Sequence, residues 1–324
     1  MDLRPVVDDD LPAVLGLLQA TMGWVPDAQY EAFFRWKHHE NPFGRSAAWV
    51  AVEDDRVLAF RTFLRWEWER DGVIVRAVRA VDTATHPDAQ GKGLFRTLTL
   101  HAVEAMRAEG VGFVFNTPNT QSRPGYLKMG WVDVGRPPVR VRSRGLRSAI
   151  RIASARVPAD KWSQPSEDGV APDEAFADDG AIDALLRSRP ALAPGSQRTN
   201  RSAAHLRWRY GFAPLAYRVA PIGGTTADGL VVFRLRRRGP ALEAAVLDVL
   251  APPGSQSAVR RTIGRVLRTT GADYAIALGP ERSLAEGLVP LPRQGPELTW
   301  RSVIDADAPP LAAWAVALGD IELF

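Results

Sequence analysis

The feature that most constrains this chain is an apolar run that leads through a glycine-rich turn into a helix-forming segment. Residues 73–85 have the β-branched composition of a strand, and residues 94–106 have apolar side chains at helical spacing. The turn between them reads His-Pro-Asp-Ala-Gln-Gly-Lys-Gly, residues 86–93. A strand, a turn and a helix in this order can direct free backbone N–H groups and a helix N-terminus toward an anion. The pattern predicts a phosphate-binding loop.

Residue types in and after this turn suit an anion. Gly91 and Gly93 let the backbone approach a ligand without an intervening side chain. Lys92 and Arg96 add positive charge at the same place. A second glycine-punctuated stretch begins at Asn119 and reads Asn-Thr-Gln-Ser-Arg-Pro-Gly-Tyr-Leu-Lys-Met-Gly-Trp. The two stretches together carry the functional signal of the sequence.

The pair of stretches resembles the motifs of the GNAT superfamily of acyl-CoA N-acyltransferases. The phosphate loop of that family follows the pattern Gln/Arg-x-x-Gly-x-Gly/Ala, whose fixed positions correspond here to Gln90, Gly93 and Phe95. Phe95 departs from the small residue that closes the pattern. The second pattern of the family is an Asn, a small residue, a Tyr and a Gly-aromatic pair, and the matching residues are Asn119, Ser122, Tyr126, Gly130 and Trp131.

This resemblance implies a fold and a co-substrate. The implied fold class is mixed α/β, with a central, mostly antiparallel twisted sheet flanked by helices, and the implied co-substrate is acetyl-CoA. Its pyrophosphate would lie on the backbone amides of the glycine-rich loop, and its pantetheine arm on the preceding strand. The cofactor-binding residues predicted in this way are Ala84, Thr85, Gln90, Gly91, Lys92, Gly93, Leu94, Phe95, Arg96 and Asn119.

Tyr126 matches the general acid of the family. A phenol is protonated at neutral pH and can give its proton to a leaving thiolate. The alternative is that the ring packs under the loop with its hydroxyl on a backbone group. For Asn119, the alternative to a cofactor contact is an Asx turn that holds residues 118–123.

The group that deprotonates the amine is less clearly marked, and our prediction is Asp82. It lies on the strand before the loop, where a carboxylate could draw a proton through water. It could equally form an ion pair with Arg76 or Arg79. The weaker candidates are His86, Glu67 and Glu69, and no base is needed if the amine arrives neutral.

Composition excludes several other classes of function. The chain of 324 residues has no cysteine and five histidines, so disulfides, thiolate metal sites and cysteine nucleophiles are excluded. His38 and His39 are adjacent without a third ligand in view, so we expect them at the surface and predict no metal. The sequence starts without the apolar segment of a secretory signal and has no run of membrane-spanning length. We therefore expect a cytoplasmic protein with no membrane partner.

The formal net charge is +4, and arginine supplies most of the positive charge. Acetyl-CoA is itself an anion, so a basic cleft needs no nucleic-acid partner. A dense group of arginines follows the second motif: Arg136, Arg140, Arg142, Arg144, Arg147 and Arg151. It lacks the interleaved aromatic residues that bind single-stranded nucleic acid, and we expect a solvated connector rather than a binding surface.

An internal repeat indicates two related domains. The segment around Trp36 and Pro42 is echoed around Trp208 and Pro214, with a constant offset of 172 residues. A repeat of this length indicates two copies of a domain rather than a solenoid. The second copy has lost the double-glycine loop. We expect Trp36, Trp208 and Pro42 to be core residues of the two copies.

The repeat and the motifs predict two tandem GNAT-like domains. Residues 1–145 would form the acetyl-CoA-binding catalytic domain, 146–195 a linker and connecting helix, and 196–324 a degenerate GNAT-like domain without a phosphate loop. The predicted activity is acetyl transfer to a primary amine of a small molecule or an amino sugar. The alternatives are an aminoacyl-tRNA-dependent transferase of the peptidoglycan-bridge type, against which an intact phosphate loop argues, and a non-catalytic acyl-CoA-binding module. The acceptor, and whether the chain forms a homodimer, stay open.

Overall fold

The computed structural model describes residues 1–24, 27–145, 148, 151, 157–279, 285–291 and 294–322. The chain divides into two compact units. Unit 1 comprises Met1–Gly135 and Glu297–Pro310, and unit 2 comprises Arg136–Pro296 and Leu311–Leu323. Unit 2 thus begins ten residues before the predicted linker, and a late segment of the chain belongs to unit 1.

The elements are numbered along the chain. The strands are β1 (Asp2–Pro5), β2 (Ala47–Glu53), β3 (Arg56–Arg70), β4 (Val73–Thr85), β5 (Phe113–Asn116), β6 (Val132–Gly135), β7 (Val139–Ser143), β8 (Gln197–Thr199), β9 (Arg218–Pro221), β10 (Leu230–Arg238), β11 (Ala241–Leu250), β12 (Tyr274–Leu278), β13 (Val289–Leu291), β14 (Leu298–Ser302) and β15 (Trp314–Ala315). The helices are α1 (Leu11–Met22), α2 (Ala28–His39), α3 (Leu94–Ala108), α4 (Arg123–Lys128), α5 (Pro172–Ala175), α6 (Asp179–Ser188), α7 (Ala203–Gly211), α8 (Gln256–Thr269) and α9 (Leu318–Ile321).

Each unit is built on its own mixed sheet. The sheet of unit 1 has the order β1-β2-β3-β4-β5-β14-β6, and that of unit 2 has the order β13-β7-β12-β11-β10-β9. Every pair of neighbours along these two orders is antiparallel except β4 with β5 and β11 with β12, which are parallel. The predicted fold class, a mostly antiparallel mixed sheet flanked by helices, is confirmed.

The core of unit 1 lies between the sheet and α3. The apolar side chains of α3 recur at helical spacing and are buried, among them Leu94, Leu98 and Met106. They pack on β2, β3 and β4. The helix ends at Ala108, and Gly110, which has a φ of +72°, turns the chain toward β5. This packing fixes the start of α3 beside the end of β4.

Unit 2 repeats this arrangement with α8 on its sheet. Apolar residues of α8, including Val259, Ile263 and Val266, pack with β9, β10, β11 and β12. A helix is present within residues 146–195, where a connecting helix is predicted: α6 buries Ile182, Leu185 and Leu186.

Several local predictions were wrong. Trp36 and Trp208 are buried as expected, but Pro42 is exposed. Part of the arginine-rich segment forms β7, which lies between β12 and β13, rather than a solvated connector. Arg147 lies outside the described residues. The segment from Gly319 contributes to the short helix α9.

Candidate functional site

The sheet of unit 1 opens between β4 and β5. Their parallel pairing runs from Ala77 opposite Phe113 to Arg79 opposite Phe115, whereas β4 continues to Thr85. The end of β4 therefore diverges from β5. A diverging strand presents backbone N–H and C=O groups that a ligand can pair with.

A β-bulge lies at the start of this divergence. Phe60 of β3 pairs with Ala84, but Thr62 pairs with Val81, so one residue of β3 faces two residues of β4. The bulged residue Asp82 has a φ of +38°, in the left-handed region that Asp and Asn tolerate better than most side chains. The bulge turns the end of β4 and redirects its side chains.

The glycine-rich loop connects this strand to α3. Gly91 and Gly93 have φ values of +76° and +78°, and a Cβ built on either would meet no atom within 4 Å. Gly93 is also the N-terminal cap of α3. Both glycines, with Lys92 and Arg96, are exposed. The loop is thus an open, basic surface at a helix N-terminus, as predicted for a phosphate cradle.

Phe95, the residue that departs from the family pattern, has a defined packing partner. Its ring stands at right angles to that of Tyr126, with centroids 5.3 Å apart. A Cβ on Gly125 would lie 2.9 Å from Cε1 of Phe95. The larger residue in the loop is therefore accommodated by a glycine in α4. Leu94, by contrast, is buried in the core, so only its backbone can face a ligand.

Asn119 organises the turn that leads into α4. Its side-chain oxygen accepts hydrogen bonds from the backbone N–H of Ser122 at 2.8 Å and of Gln121 at 3.1 Å. Its carbonyl accepts one from Arg123 N–H at 3.0 Å. These bonds form an Asx turn, the alternative to a direct cofactor contact of Asn119. It holds the helix that carries Tyr126.

Tyr126 and Arg61 form the polar centre beneath the bulge. Both side chains are buried, and Nη1 of Arg61 donates a hydrogen bond to the Tyr126 hydroxyl at 2.7 Å. The same nitrogen donates to the hydroxyl of Thr83, within the bulge. Because a guanidinium can only donate, the Tyr126 oxygen accepts, and its own proton is not used in this bond.

The Arg61 guanidinium is enclosed by aromatic rings. Its Cζ lies 4.7 Å from the ring centroid of Phe63, 5.4 Å from that of Tyr126 and 6.0 Å from that of Phe95. Its Nε and Nη2 are buried without a hydrogen-bond partner among the described residues. The ring faces provide attraction for the cation in place of a carboxylate. The Arg61 side chain is thus positioned by the surrounding aromatic rings and by its hydrogen bonds to Tyr126 and Thr83.

Asp82 is occupied by an ion pair, which argues against the predicted role of general base. Its Oδ2 lies 2.7 Å from Nζ of Lys37 and 2.8 Å from Nε2 of His38, and all three side chains are buried. Burial favours the neutral acid, but the charge of Lys37 and the hydrogen bond from His38 outweigh it and hold the pKa of Asp82 far below its ordinary value. Such a carboxylate is a weak base. The predicted pairing with Arg76 or Arg79 is replaced by one with α2.

His38 is buried, so its predicted surface position was wrong. Its Nδ1 lies 2.9 Å from the Ser46 hydroxyl, and its Nε2 bonds Asp82. Burial lowers the pKa of His38 below its ordinary value, against the raising effect of the Asp82 charge. The carboxylate can only accept, which assigns the proton to Nε2. The imidazole thus ties α2 to the bulge.

The other predicted bases lie apart from this centre. Glu67 and Glu69 follow Arg61 on β3 by six and eight residues, a distance of about 20 Å or more along a strand. His86 accepts a hydrogen bond from Asp88 N–H at 3.3 Å and is half-exposed at the loop. The structure brings together Tyr126, Thr83 and the loop, but neither glutamate.

Arg61, Lys37 and His38 were missed at the sequence level. Arg61 carried a usable signal, because it is a lone charge in the apolar run Leu58-Ala59-Phe60-Arg61-Thr62-Phe63-Leu64 at a position that alternation turns inward. Lys37 and His38 belong to the repeated segment, but no helix was predicted there.

The family of the N-terminal part follows from this geometry and from comparison with known proteins. Residues 2–133 match the model of the GNAT acetyltransferase domain. Residues 2–133 are a GNAT acetyltransferase domain. The diverging strand, the bulge and the glycine-rich loop described above all lie within this GNAT domain, which also carries Tyr126. No curated protein sequence matches the chain significantly.

Solved structures support the fold over nearly the whole chain. A GCN5-related N-acetyltransferase from Anabaena variabilis is 13% identical, with a TM-score of 0.63, and the match covers 94% of this chain and 73% of that one. Eis1 from Mycobacterium abscessus is 16% identical, with a TM-score of 0.57, and the coverage is 94% and 74%. A probable N-acyltransferase from Enterococcus faecalis is 12% identical, with a TM-score of 0.63, and the coverage is 93% and 72%. At these identities the likeness concerns the fold.

The described part of the chain offers neither a metal-binding cluster nor a membrane-spanning helix. It contains no group of three or more His, Asp or Glu side chains placed to hold a metal ion. None of its helices combines the length and the apolar character that crossing a bilayer requires.

Proposed function

We propose that unit 1 catalyses transfer of an acetyl group from acetyl-CoA to a primary amine of a small molecule or an amino sugar. The membership of residues 2–133 in the GNAT acetyltransferase family supports the reaction class. Acetyl-CoA supplies the activated acyl group as a thioester. The acceptor class rests on the sequence resemblance alone, because a fold does not determine a substrate.

The glycine-rich loop fits the pyrophosphate of this co-substrate. Gly91 and Gly93 leave open space where a side chain would stand, and the first N–H groups of α3 point out of the helix end. The exposed charges of Lys92 and Arg96 favour an anion there. Gln90, Leu94 and Phe95 would contribute through their backbone, and the diverging edge at Ala84 and Thr85 would pair with the pantetheine amides.

One observation carries the proposed mechanism: the Tyr126 oxygen accepts its hydrogen bond from Arg61 at 2.7 Å. This bond leaves the phenolic proton available for donation. Tyr126 would act as the general acid that protonates the leaving thiolate. Arg61 would orient the hydroxyl and stabilise negative charge that develops on its oxygen as the proton departs.

Asp82 has a structural role in this proposal, since it holds the bulge to Lys37 and His38. The amine would enter neutral or lose its proton to solvent, which dispenses with a dedicated carboxylate. Asn119 would support Tyr126 through the turn that it caps, in place of the direct cofactor contact predicted from the sequence.

An amine screen tests this function. The full chain is incubated with acetyl-CoA and a panel of primary amines and amino sugars, and release of the free thiol is followed with a thiol reagent. The proposal predicts thiol release that depends on the amine and yields the N-acetylated product. Binding of acetyl-CoA with no transfer to any amine would favour a non-catalytic binding module, and absence of acetyl-CoA binding would contradict the proposal at its first step.

A further inference from the structure

A cavity of about 270 Å³ lies in unit 2, at the opening of its sheet. The parallel pairing of β11 with β12 ends at Ala245 opposite Ile276, whereas β11 continues to Leu250 and β12 to Leu278. Residues of both strand ends line the cavity, among them Val249 and Leu278. Its volume approaches the lower end of the range for small-molecule sites.

The loop beside this cavity is unsuited to a pyrophosphate. It reads Ala-Pro-Pro-Gly-Ser over residues 251–255, and it contains no basic residue. Pro252 and Pro253 have no N–H group to donate. The cavity therefore lies at the strand opening of unit 2 that corresponds to the cofactor cleft proposed for unit 1. Its loop lacks the groups that would bind the phosphates of a cofactor.

Arg140 of β7 provides a charged group in the wall of the cavity. Arg140 is only 7% exposed, and its Nε donates a hydrogen bond to the carbonyl of Gly279 at 2.9 Å. Within the described ranges, no carboxylate forms an ion pair with Arg140, and its two terminal nitrogens make no hydrogen bond. A guanidinium with unused donors in the wall of a cavity can bind an anion that enters it.

The neighbouring charges leave an excess of positive charge. Among the residues that the structure describes, four arginines and two carboxylates line the cavity: Arg140, Arg189, Arg198 and Arg201, with Asp248 and Glu286. Asp248 is already engaged, because Arg201 donates to it at 2.7 and 3.1 Å. Arg201 also bonds Asp320 at 2.7 Å. The ion pair of Arg201 is thus complete. Arg189 and Arg198 each donate to a backbone carbonyl, of Leu186 and Pro190. Arg140 adds a positive charge that no carboxylate of the described residues pairs with.

Most of the remaining wall is apolar. It includes residues of β11 and of the proline-containing loop, the residue before β13 and one after β15: Val246, Leu247, Leu250, Pro252, Leu288 and Val316. Arg140, which has no ion pair among the described residues, stands beside a predominantly apolar wall. This arrangement matches a ligand with a single anionic head and an apolar body, rather than a polyanion. About nine water molecules would fill the volume at about 30 Å³ each, which also limits the ligand to a short chain.

We propose that this cavity binds a small amphipathic carboxylate, of the class of medium-chain fatty acids, with its carboxylate on Arg140 and its chain along the apolar wall. The site is separate from the acetyl-CoA cleft and does not depend on the function of unit 1. A fork-shaped guanidinium can bind a carboxylate through two parallel hydrogen bonds.

Calorimetric titration with octanoate tests the proposal. We expect one octanoate per chain in the wild type. Arg140→Met keeps an apolar stem but removes the charge, and it should weaken octanoate binding at least tenfold. Arg140→Lys should retain most of the affinity. Octanamide, the neutral analogue, should bind the wild type and Arg140→Met alike.

Two further variants locate the site. Val249→Trp should fill the cavity and abolish octanoate binding, and it decides the matter if Arg140→Met does not fold. Gly93→Glu, in the loop of unit 1, should bind octanoate as the wild type does. The proposal is overturned if the wild type does not bind octanoate, if Arg140→Met or Val249→Trp binds it with unchanged affinity, or if Gly93→Glu loses it.

Discussion

The two units share a sheet arrangement and differ in the residues that fill it. Both have one parallel strand pair that opens toward its end, and both have a bulge on the strand before the loop. In unit 1 this loop has two open glycines and basic neighbours, whereas in unit 2 it has two prolines. The opening of the sheet is therefore a property of the fold, and the loop decides which ligand it can take.

Side chains at the two bulges make the same distinction. His38 bonds Asp82 in unit 1, and Tyr210, at the repeat offset of 172, bonds Asp248 in unit 2. Both units thus have an aspartate on the bulged strand that is hydrogen-bonded to a side chain of an earlier helix, α2 in unit 1 and α7 in unit 2. Arg61 is not common, because the same offset leads to Phe233, a buried apolar residue. The comparison supports the roles proposed above, a structural one for Asp82 and a functional one for Arg61.

The largest effect on kcat is expected from a substitution of Tyr126. Among the described residues of unit 2, no counterpart of Tyr126 has been identified. Tyr126→Phe should lower kcat for acetyl transfer by about 100- to 10,000-fold, because it removes the proton donor to the thiolate. The Kd for acetyl-CoA should stay within about twofold. Steady-state kinetics with calorimetry checks both, and an unchanged kcat would remove Tyr126 from the mechanism.

The two bulge carboxylates should differ in their effect on stability. Asp82→Ala removes the shared partner of Lys37 and His38, and it should lower the free energy of unfolding by about 3–5 kcal/mol. Asp248→Ala leaves Arg201 bonded to Asp320, and it should cost about 1–3 kcal/mol. Urea denaturation of both variants against the wild type measures the difference. Equal losses would contradict the expectation that the bond of Arg201 to Asp320 limits the cost of losing Asp248.

Arg61 should act through Tyr126. Arg61→Met removes a charged hydrogen bond and should lower kcat about tenfold to 100-fold, with the Kd for acetyl-CoA little changed. In the Tyr126→Phe background the same substitution should have almost no effect on kcat, and Arg61→Lys should restore part of the loss. An equal loss of kcat in both backgrounds would show that Arg61 serves only the packing of the site.

The smallest effect concerns pH. Burial lowers the pKa of His38 and, with the charges of Arg201 and Arg209, lowers that of His205 well below its ordinary value. A lowered pKa means that the unfolded chain takes up a proton first, so stability is lost as the pH falls below about 6.5, by up to about 1.4 kcal/mol per pH unit for each group. His205→Gln should reduce this loss of unfolding free energy over a wider pH range than His38→Gln does. The reason is that the charge of Asp82 opposes the lowering of the pKa of His38. Urea denaturation between pH 7.5 and 5 checks the order.

The elements that carry the motifs were predictable from the sequence. The strand of residues 73–85, the glycine turn and α3 were predicted within two residues of their bounds, because apolar periodicity and glycine act locally. The family resemblance located the loop and Tyr126 through spacing alone.

The pairing of distant side chains was not predictable in this way. Arg61 and Tyr126 are 65 residues apart, and His38 and Asp82 are 44 apart. Their contacts depend on strand register and on a bulge that no local pattern marks. The return of β14 to the sheet of unit 1 is equally non-local, as is the placement of β7 inside the second sheet. Sequence reasoning therefore located the glycine-rich loop but did not predict the contacts of Asp82 with Lys37 and His38.

Calorimetric titration of acetyl-CoA into three chains tests the central claim most directly: the wild type, Gly93→Glu and Gly254→Glu. The two glycines stand before the corresponding helices of units 1 and 2, with φ values of +78° and +86° and open space around each, so the two substitutions strain the backbone alike. The account predicts one acetyl-CoA per wild-type chain, lost in Gly93→Glu and retained in Gly254→Glu. Binding that survives Gly93→Glu, or that disappears only in Gly254→Glu, would contradict it.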